Sequence, residues 1–500
     1  MNTNKSIKPS LKPRIGLYSV GLKAYWDQFP GLKDRLENYG KFIENRMSQY
    51  GEVYNFGIVD EEEKGREAGE YFNANNVDII FCHNATYVNS TTVLPVHRIC
   101  KAATVILNLQ PAPRVDYLQM NTGEWLSQCT GCSIPEIANA FERANISFRV
   151  VNGLLGLDKT SQGALSEEVS NKRPEAIRAW NEIIDYIKAA QVKRTLAQAR
   201  FGFLGGYYSG MLDMYSDLTM LQAQMGIHVE LLEMCDLDRL LKTVTKPEEE
   251  EKLAEIKDMF TISEGSTSEP LACKPTEEQL NWTCKVAVAQ EKLVNEFNLD
   301  ALSYYYHGAP DNEYEKLQSG FIVGHSLLTA QGIPCAGEGD IKTNLAMKIC
   351  DILQVGGSFS EIVVTDYIDG TILMGHDGPF HIKIAAEKPT LRGMGLYHGK
   401  QGTGVSVEAK VKSGPITMLG CTQTSDGKLK LIISEGLATD GAIMQIGNTQ
   451  TPIKFSVEPD EYMDRWMQEA PTHHVAMSVG HNAKLFEKTA ELLNIPYVII

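Results

Sequence analysis

Two short runs, Val77–Cys82 (VDIIFC) and Ala103–Leu109 (ATVILNL), are apolar along nearly their whole length, with a helical stretch near Val93–Ala102 between them. Strands that are apolar on both faces must be covered on both faces, which is the pattern of a parallel sheet with helices packed on either side. The rest of the N-terminal region keeps the alternation: a strand at Arg14–Ser19 (RIGLYS), a helix over Asp34–Gln49, a strand at Val53–Val59, a charged helix over Glu61–Asn75, a strand at Ser147–Val151 and a long helix over Pro174–Val192. An open α/β domain over residues 1–196 is expected from this order.

The alternation then restarts. Ala199–Gly205 (ARFGFLG), His228–Glu233 (HVELLE), Ala301–Tyr306 (ALSYYY) and Ile333–Ala336 read as strands. Met211–Met225, Glu248–Phe260, Thr276–Phe297, Tyr314–Gln331 and Ile341–Leu353 read as helices, giving a second α/β domain over residues 197–356. From residue 357 the texture changes to short strand-like runs at Glu361–Asp366, Thr371–Met374, His381–Ala385, Val405–Val411, Ile416–Gln423 and Lys428–Ser434. Asp-Gly turns follow several of them or stand between them (Asp369-Gly370, Asp377-Gly378, Asp426-Gly427). That predicts an antiparallel sheet or barrel over residues 357–500, closed by a helix at Asn482–Leu493 and an apolar strand at Tyr497–Ile500.

Composition sets the outer bounds. A chain of 500 residues is too long for one core and predicts two to four domains. A formal net charge of −16 argues against nucleic acid as a partner, because phosphate binding needs a basic surface. No stretch approaches the ~20 apolar residues of a membrane span. Met1 to Arg14 is polar with two prolines and no apolar segment, so a disordered lead-in is expected rather than a signal peptide, and with it a cytoplasmic protein. Ten cysteines, several within apolar runs, read as free buried thiols. Cys129 and Cys132 have metal or redox spacing, but no second pair lies nearby, so no role is assigned to them. The acidic run Glu248–Glu251 reads as a solvated face. There is no repeat, no P-loop and no G-x-G-x-x-G between a strand and a helix.

The densest chemical signal is Ala336-Gly337-Glu338-Gly339-Asp340, two carboxylates among glycines at the end of a strand, where α/β folds place their clefts. Asp340 is expected to cap the following helix; Glu338 precedes the cap and is left for chemistry. Glu361 follows Gly356-Gly357-Ser358-Phe359-Ser360, His376 sits in Gly375-His376-Asp377-Gly378, and Thr472-His473-His474 lies near the C-terminus. Singly each is unremarkable. Two glutamates with two histidines suit a hard-to-borderline divalent ion and leave positions open for substrate oxygens.

The strings AGEGDIKT, GGSFSE, MGHDGP and HHVAMS resemble the motifs of the L-arabinose isomerase family, within the wider arabinose/fucose isomerase group. The resemblance implies two Rossmann-like α/β domains followed by a C-terminal β-barrel-like domain, in agreement with the texture above. It also implies a metal held by Glu338, Glu361, His376 and His474, the second of the adjacent pair. Mn²⁺ is the expected ion, with Co²⁺ or Mg²⁺ as alternatives. Glu338 and Glu361 would double as proton-transfer groups in converting an aldose to a ketose through a cis-enediol, with L-arabinose to L-ribulose as the default and a hydride shift as the alternative route. The partner would be a small monosaccharide and the assembly a homo-oligomer, a trimer or hexamer. Substrate contacts are expected from Val20, Gln128 and His473. There the chain departs from the family: Ser19-Val20-Gly21-Leu22 replaces Ser-Gln-His-Leu, and Ser127-Gln128-Cys129-Thr130-Gly131-Cys132 keeps the family's glutamine and loses its histidine. The reaction type is therefore clearer than the sugar. A metal-dependent sugar epimerase or lyase, or a non-catalytic cytoplasmic sugar-binding protein, are the competing readings.

Overall fold

A computed structural model describes residues 10–265, 268–309, 312–394 and 404–500. It divides into two compact units, Leu11–Arg194 and Thr195–Ile500. Of the expected N-terminal lead-in, residues 1–9 lie outside the described residues, and Arg14 already opens the first strand.

The first unit holds one five-stranded parallel sheet built from β1 (Arg14–Val20), β2 (Glu52–Val59), β3 (Ile79–His83), β4 (Ala103–Gln110) and β5 (Phe148–Leu154), in the order β2-β1-β3-β4-β5. Its central strand β3 is buried at every position, as its sequence demands. Helices Leu32–Met47, Glu62–Ala74, Ser90–Ile99, Ile134–Arg143 and Pro174–Leu196 connect or follow the strands.

A buried charge cluster lies in this unit. Arg35 donates to Glu124 at 2.7 Å and to Glu168 at 2.5 Å, and Tyr39 donates to Glu168. Glu124 also accepts from the backbone N–H of Leu165 and Ser166 and from the Gln128 amide, at 2.9–3.1 Å. Burial of paired ions stabilises only when the remaining lone pairs are satisfied, and here they are. Cys129 and Cys132 are free thiols with their sulfurs 2.8 Å apart, and burial pushes the Cys129 thiol up to about 12. A thiol so far from ionisation is a poor nucleophile.

The second unit contains a four-stranded parallel sheet and a closed antiparallel barrel. Its strands begin with β6 (Arg200–Gly205), β7 (His228–Leu232), the two-residue β8 (Thr261–Ile262) and β9 (Ala272–Cys273), β10 (Ala301–Tyr305) and β11 (Cys335–Ala336). The parallel sheet runs β11-β10-β6-β7. Then come β12 (Gly356–Asp366), β13 (Thr371–His376), β14 (Thr390–Met394), β15 (Gly404–Glu408), β16 (Gly414–Gln423), β17 (Leu429–Ala438), β18 (Thr449–Lys454), β19 (His474–Val479) and β20 (Tyr497–Ile499). Six of them form the ring β16-β19-β12-β13-β18-β17, closed by a ten-residue β16–β17 ladder, with β20 added to β17. Closure removes the free edges that an open antiparallel sheet would expose. A small sheet of β15, β14, β8 and β9 stands beside the barrel. The α/β class with parallel sheets and a C-terminal antiparallel barrel is therefore as the sequence predicts.

Three elements differ from expectation, each for a local reason. Met211–Met225 is not one helix: a 3₁₀ turn at Leu212–Met214 gives way to extended backbone at Tyr215, and the helix Leu218–Met225 starts afresh at the Asp217 cap. The ammonium of Lys342 takes the carbonyls of Met214 and Tyr215, which a continuous helix would need for itself. Tyr314–Gln331 breaks at Gly320 into Glu313–Gln318 and Phe321–Ala330, glycine being a poor helix residue. His381–Ala385 alternates in burial like a strand but forms a 3₁₀ turn, because the hydroxyls of Ser326 and Ser358 take the backbone N–H groups of Phe380 and His381. The strands β18 and β19 carry no clear periodic signal in the sequence, whereas the helix Pro459–Gln468, also not anticipated, does show one, Tyr462 and Trp466 lying one turn apart on its buried face. The acidic run from Glu248 opens the helix Lys246–Met259, with Glu248 completing a capping box on Thr245. No helix among the described residues is long and apolar enough to cross a membrane.

The first unit should show an acid weakness. Burial opposes the charge on Glu124, but Arg35 and the two N–H donors win and hold its carboxyl at about 2, below the ordinary ~4.3. A depressed carboxylate contributes stability above the ordinary value and loses it as pH falls through its folded value. The urea midpoint is expected to drop between pH ~4.5 and ~2. Glu124→Gln should lose about 2–4 kcal/mol at pH 7 and show a flatter midpoint across that acid window.

Candidate functional site

Four elements of the second unit converge on one cleft. The first is the turn after β11. Gly337–Gly339 is a 3₁₀ turn in which Glu338 takes left-handed backbone angles (φ 60°, ψ 11°). A non-glycine residue there is strained, and such strain persists only where surrounding contacts enforce it. Tyr208 N–H donates to the Glu338 carbonyl at 3.0 Å, and a Cβ on Gly339 would lie 2.5 Å from the Gly206 carbonyl oxygen. Asp340 then caps the helix Ile341–Ile352, its Oδ1 accepting from the N–H groups of Lys342 and Thr343 at 3.1 and 2.9 Å.

The other three are strands of the barrel, β12, β13 and β19. Glu361 of β12 stands opposite Gly375 of β13 on one side and His474 of β19 on the other. His376 ends β13, and the Thr449 hydroxyl fixes it by accepting from its N–H at 2.9 Å and donating to its carbonyl at 3.1 Å. Phe359 lies against both imidazoles, with ring centroids 4.7 Å from His376 and 4.3 Å from His474.

The resulting geometry is a knot of nitrogen and oxygen donors. His376 Nε2 and His474 Nε2 are 3.2 Å apart. Glu338 Oε2 lies 3.6 Å from His474 Nε2 and 3.7 Å from His473 Nε2, and His473 Nε2 lies 4.0 Å from Glu361 Oε2. Donor atoms of Glu338, His376 and His474 fall within 4.8 Å of one another, as do those of Glu361, His473 and His474. Among the described residues no other set of three or more metal-type donors is this close.

Behind these groups stand further carboxylates. Asp340 Oδ2 accepts from His474 Nδ1 at 3.0 Å, both side chains being fully buried. Asp377 Oδ1 is 3.1 Å from His376 Nδ1. With its Nδ1 proton held by Asp340, His474 turns an Nε2 lone pair toward His376 Nε2 across 3.2 Å, an approach that a proton or a cation between the two nitrogens would satisfy. Glu338 Oε2 is buried without a hydrogen-bond partner. An orphaned carboxylate oxygen beside two imidazole lone pairs is the donor set of a divalent metal ion, so Glu338, His376 and His474 fit one, with Glu361 near enough to join.

The electrostatics are divided: burial opposes charge on His376, but Asp377, Glu361 and Glu338 outweigh it and raise its pKa, whereas the other groups favour an ion. Burial opposes charge on Glu338, but His473, His474 and His376 outweigh it and hold the carboxyl below its ordinary value. Burial likewise opposes charge on Asp340, yet His474 and Lys342 keep it ionised. Burial would lower His473, but Glu338 and Asp213 raise it to about 9. His474 is pushed down by burial, which favours the neutral imidazole that a metal requires. The cleft they face measures about 530 Å³ and has an apolar wall that includes Met211, Val363, Leu373 and Met444. That size falls within the range of small-molecule sites, roughly 300–1,000 Å³.

The structure thus brings together Glu338, Glu361, His376, His473 and His474, five of the seven residues singled out in the sequence. Val20 and Gln128 belong to the first unit. Val20 is fully buried in its core, and the Gln128 amide donates to Glu124 and Ser166. Two residues escaped the sequence reading. Asp340 does more than cap a helix, since its second oxygen orients His474; its place two residues after Glu338 was the available signal. Asp213, 2.6 Å from His473 Nδ1, carries no local signal.

Residues 376–500 match the family model of the L-fucose isomerase C-terminal domain. The match takes in His376, His473 and His474, supports the arabinose/fucose isomerase group without reaching a narrower family, and points to a sugar isomerase. No curated protein matches the chain. Among solved structures, one similar chain is a periplasmic solute-binding protein of an ABC transporter from Actinobacillus succinogenes 130z with bound D-allose. It is 13% identical, with 65% of this chain and 78% of that one covered, at a TM-score of 0.17. A likeness that weak carries no argument.

Gly339→Ala should report on the strained turn. The added Cβ meets a backbone oxygen at positive φ, so a loss of about 1–3 kcal/mol in denaturant unfolding is expected.

Proposed function

We propose that this chain is a metal-dependent aldose–ketose isomerase acting on a free monosaccharide, in the manner of the L-arabinose isomerases, with L-arabinose as the first candidate. The observation that carries the reading is the buried, unpartnered Glu338 oxygen beside two imidazole nitrogens 3.2 Å apart. Glu338, Glu361, His376 and His474 would hold the ion, with Mn²⁺ first and Co²⁺ or Mg²⁺ as alternatives. When bound, such an ion supplies Lewis-acid polarisation of a sugar carbonyl.

The chain's own groups carry the rest. Isomerisation moves one hydrogen between C2 and C1 of the open-chain sugar. Glu338, kept ionised by its histidine neighbours, would take the proton from C2 and return it to C1 of the cis-enediol, while Glu361, which also lines the cleft, would take the O2 hydroxyl proton and deliver it to O1, so that both carboxylates end as they began. His473, partly open to the cleft, is suited to hydrogen-bond a sugar oxygen. Asp340 keeps the His474 ring turned so that Nε2 faces the centre.

The test is a ketose assay across aldopentoses and aldohexoses, with and without Mn²⁺. Ketose is expected from at least one sugar only when metal is present. A protein that forms no ketose, or that epimerises, cleaves or merely binds its sugar, overturns the reading. Glu338→Gln should lower kcat at least about 10³-fold without lowering the melting temperature of the metal-free protein. Asp340→Asn keeps a good N-cap residue but loses the charge behind His474. It should weaken Mn²⁺ binding about 10–100-fold by calorimetry, with a matching loss of the Mn²⁺-induced rise in melting temperature.

A further inference from the structure

We propose that Asp213 is a positioning residue whose carboxylate holds the imidazole of His473 over the cleft, an inference that rests on the isomerase reading above. A single oxygen, Asp213 Oδ2, accepts from His473 Nδ1 at 2.6 Å and from the His473 backbone N–H at 3.1 Å. The two bonds fix the residue at its backbone and at the far side of its ring. Nε2 is then directed at the carboxylates, 3.7 Å from Glu338 and 4.0 Å from Glu361.

Packing does only part of this job: the His473 ring rests against that of His474, centroids 3.9 Å apart, which supports one face and leaves the rest open. The His474 side chain is 0% exposed and is held by its surroundings, whereas that of His473 is 35% exposed. A ring so open to solvent samples several rotamers unless something ties it. Asp213 is that tie, and it is itself anchored. It sits in the turn Leu212–Met214, and Lys342 Nζ donates to the Met214 carbonyl at 3.1 Å, the Tyr215 carbonyl at 3.4 Å and the Ser216 hydroxyl at 2.9 Å. Lys342 is buried, two residues beyond Asp340 on the same helix. One helical turn therefore orients both adjacent histidines: Asp340 binds His474 directly, and Lys342 steadies the turn whose Asp213 binds His473.

A held imidazole meets the sugar oxygen in a fixed direction, and a loose one meets it only part of the time, which lowers turnover more than ground-state binding. The experiment compares Asp213→Ala, Asp213→Asn and the wild type by steady-state kinetics on the aldose that the wild type converts. Calorimetric Mn²⁺ binding without sugar and crystal structures of the metal-free variants accompany the kinetics. Asp213→Ala is expected to lower kcat about 10–100-fold with KM within about threefold, and its crystal structure to show the His473 ring turned from the cleft. Asp213→Asn should recover to within about fivefold of wild type, since its oxygen accepts the same two bonds. Mn²⁺ affinity should stay within about threefold throughout. In a His473→Gln background, Asp213→Ala should add no further loss.

An Asp213→Ala enzyme with an unmoved ring and kcat within about twofold of wild type overturns the proposal. So does additive loss in the double variant, or an Asn variant no better than Ala with KM raised tenfold, which would make Asp213 a direct sugar contact. Should Asp213→Ala not fold, the Asn variant and the His473→Gln pair decide by the same criteria. A wild type that makes no ketose overturns the isomerase reading instead, and the ring orientation in the crystals still decides the role of Asp213.

Discussion

The carboxylate of Asp340 is the point on which the second unit turns. One oxygen caps the helix Ile341–Ile352, and the other accepts from His474 on the barrel strand β19. A single side chain thus joins the motif after the parallel sheet to the wall of the barrel, and Thr343 adds a bond to the His474 carbonyl. The helix it starts is buried along nearly all of its length. An element buried on every side has no solvent face and must find partners for its polar groups; here it packs against β10, β12, β16 and β19. Its polar residues are the exceptions that prove functional: Lys342 steadies the turn that carries Asp213, and Lys348 donates to the Gly332 carbonyl and Asp351.

Barrel closure makes the second contribution. Because β12 lies between β13 and β19, register alone sets Glu361 across from His474. A slip of one residue would turn the carboxylate to the other face of the sheet. The bulges recorded in β12 near Gly356 and near Val363 bracket that stretch, so the pairing from Ser358 to Glu361 is held between two irregularities. The rings of His376 and His474 are therefore locked by Phe359, Asp340 and Thr449 on rigid strands rather than by loop conformation.

Much of this was legible in the chain. The β3 and β4 runs are apolar along most of their length because both faces of their sheet are covered, and the pattern is plain in the sequence. Glu338, Glu361 and His376 stood out because glycines or turns surround them, whereas the His473-His474 pair was marked mainly by the resemblance of HHVAMS to a family motif. Less legible were β18 and β19: TQTPIK contains a proline and four polar residues, and HVAMSV is too short to separate strand from helix. The misread helix over Met211–Met225 has the same origin. Its carbonyls are claimed by Lys342, about 130 positions away, and no local pattern records that.

By itself the sequence determined the class of fold, parallel sheets followed by an antiparallel β region, together with the residue types of the donor set. Both are local properties: burial on two faces writes itself into apolar runs, and carboxylates among glycines mark a turn near a cleft. Only the tertiary structure decided which donors meet, how the barrel closes, and what stands behind each histidine. The Asp340–His474 bond spans 134 positions and the Asp213–His473 bond 260. Hydrogen bonds over such separations leave no periodic trace, because each depends on the packing of elements whose own patterns report only on themselves.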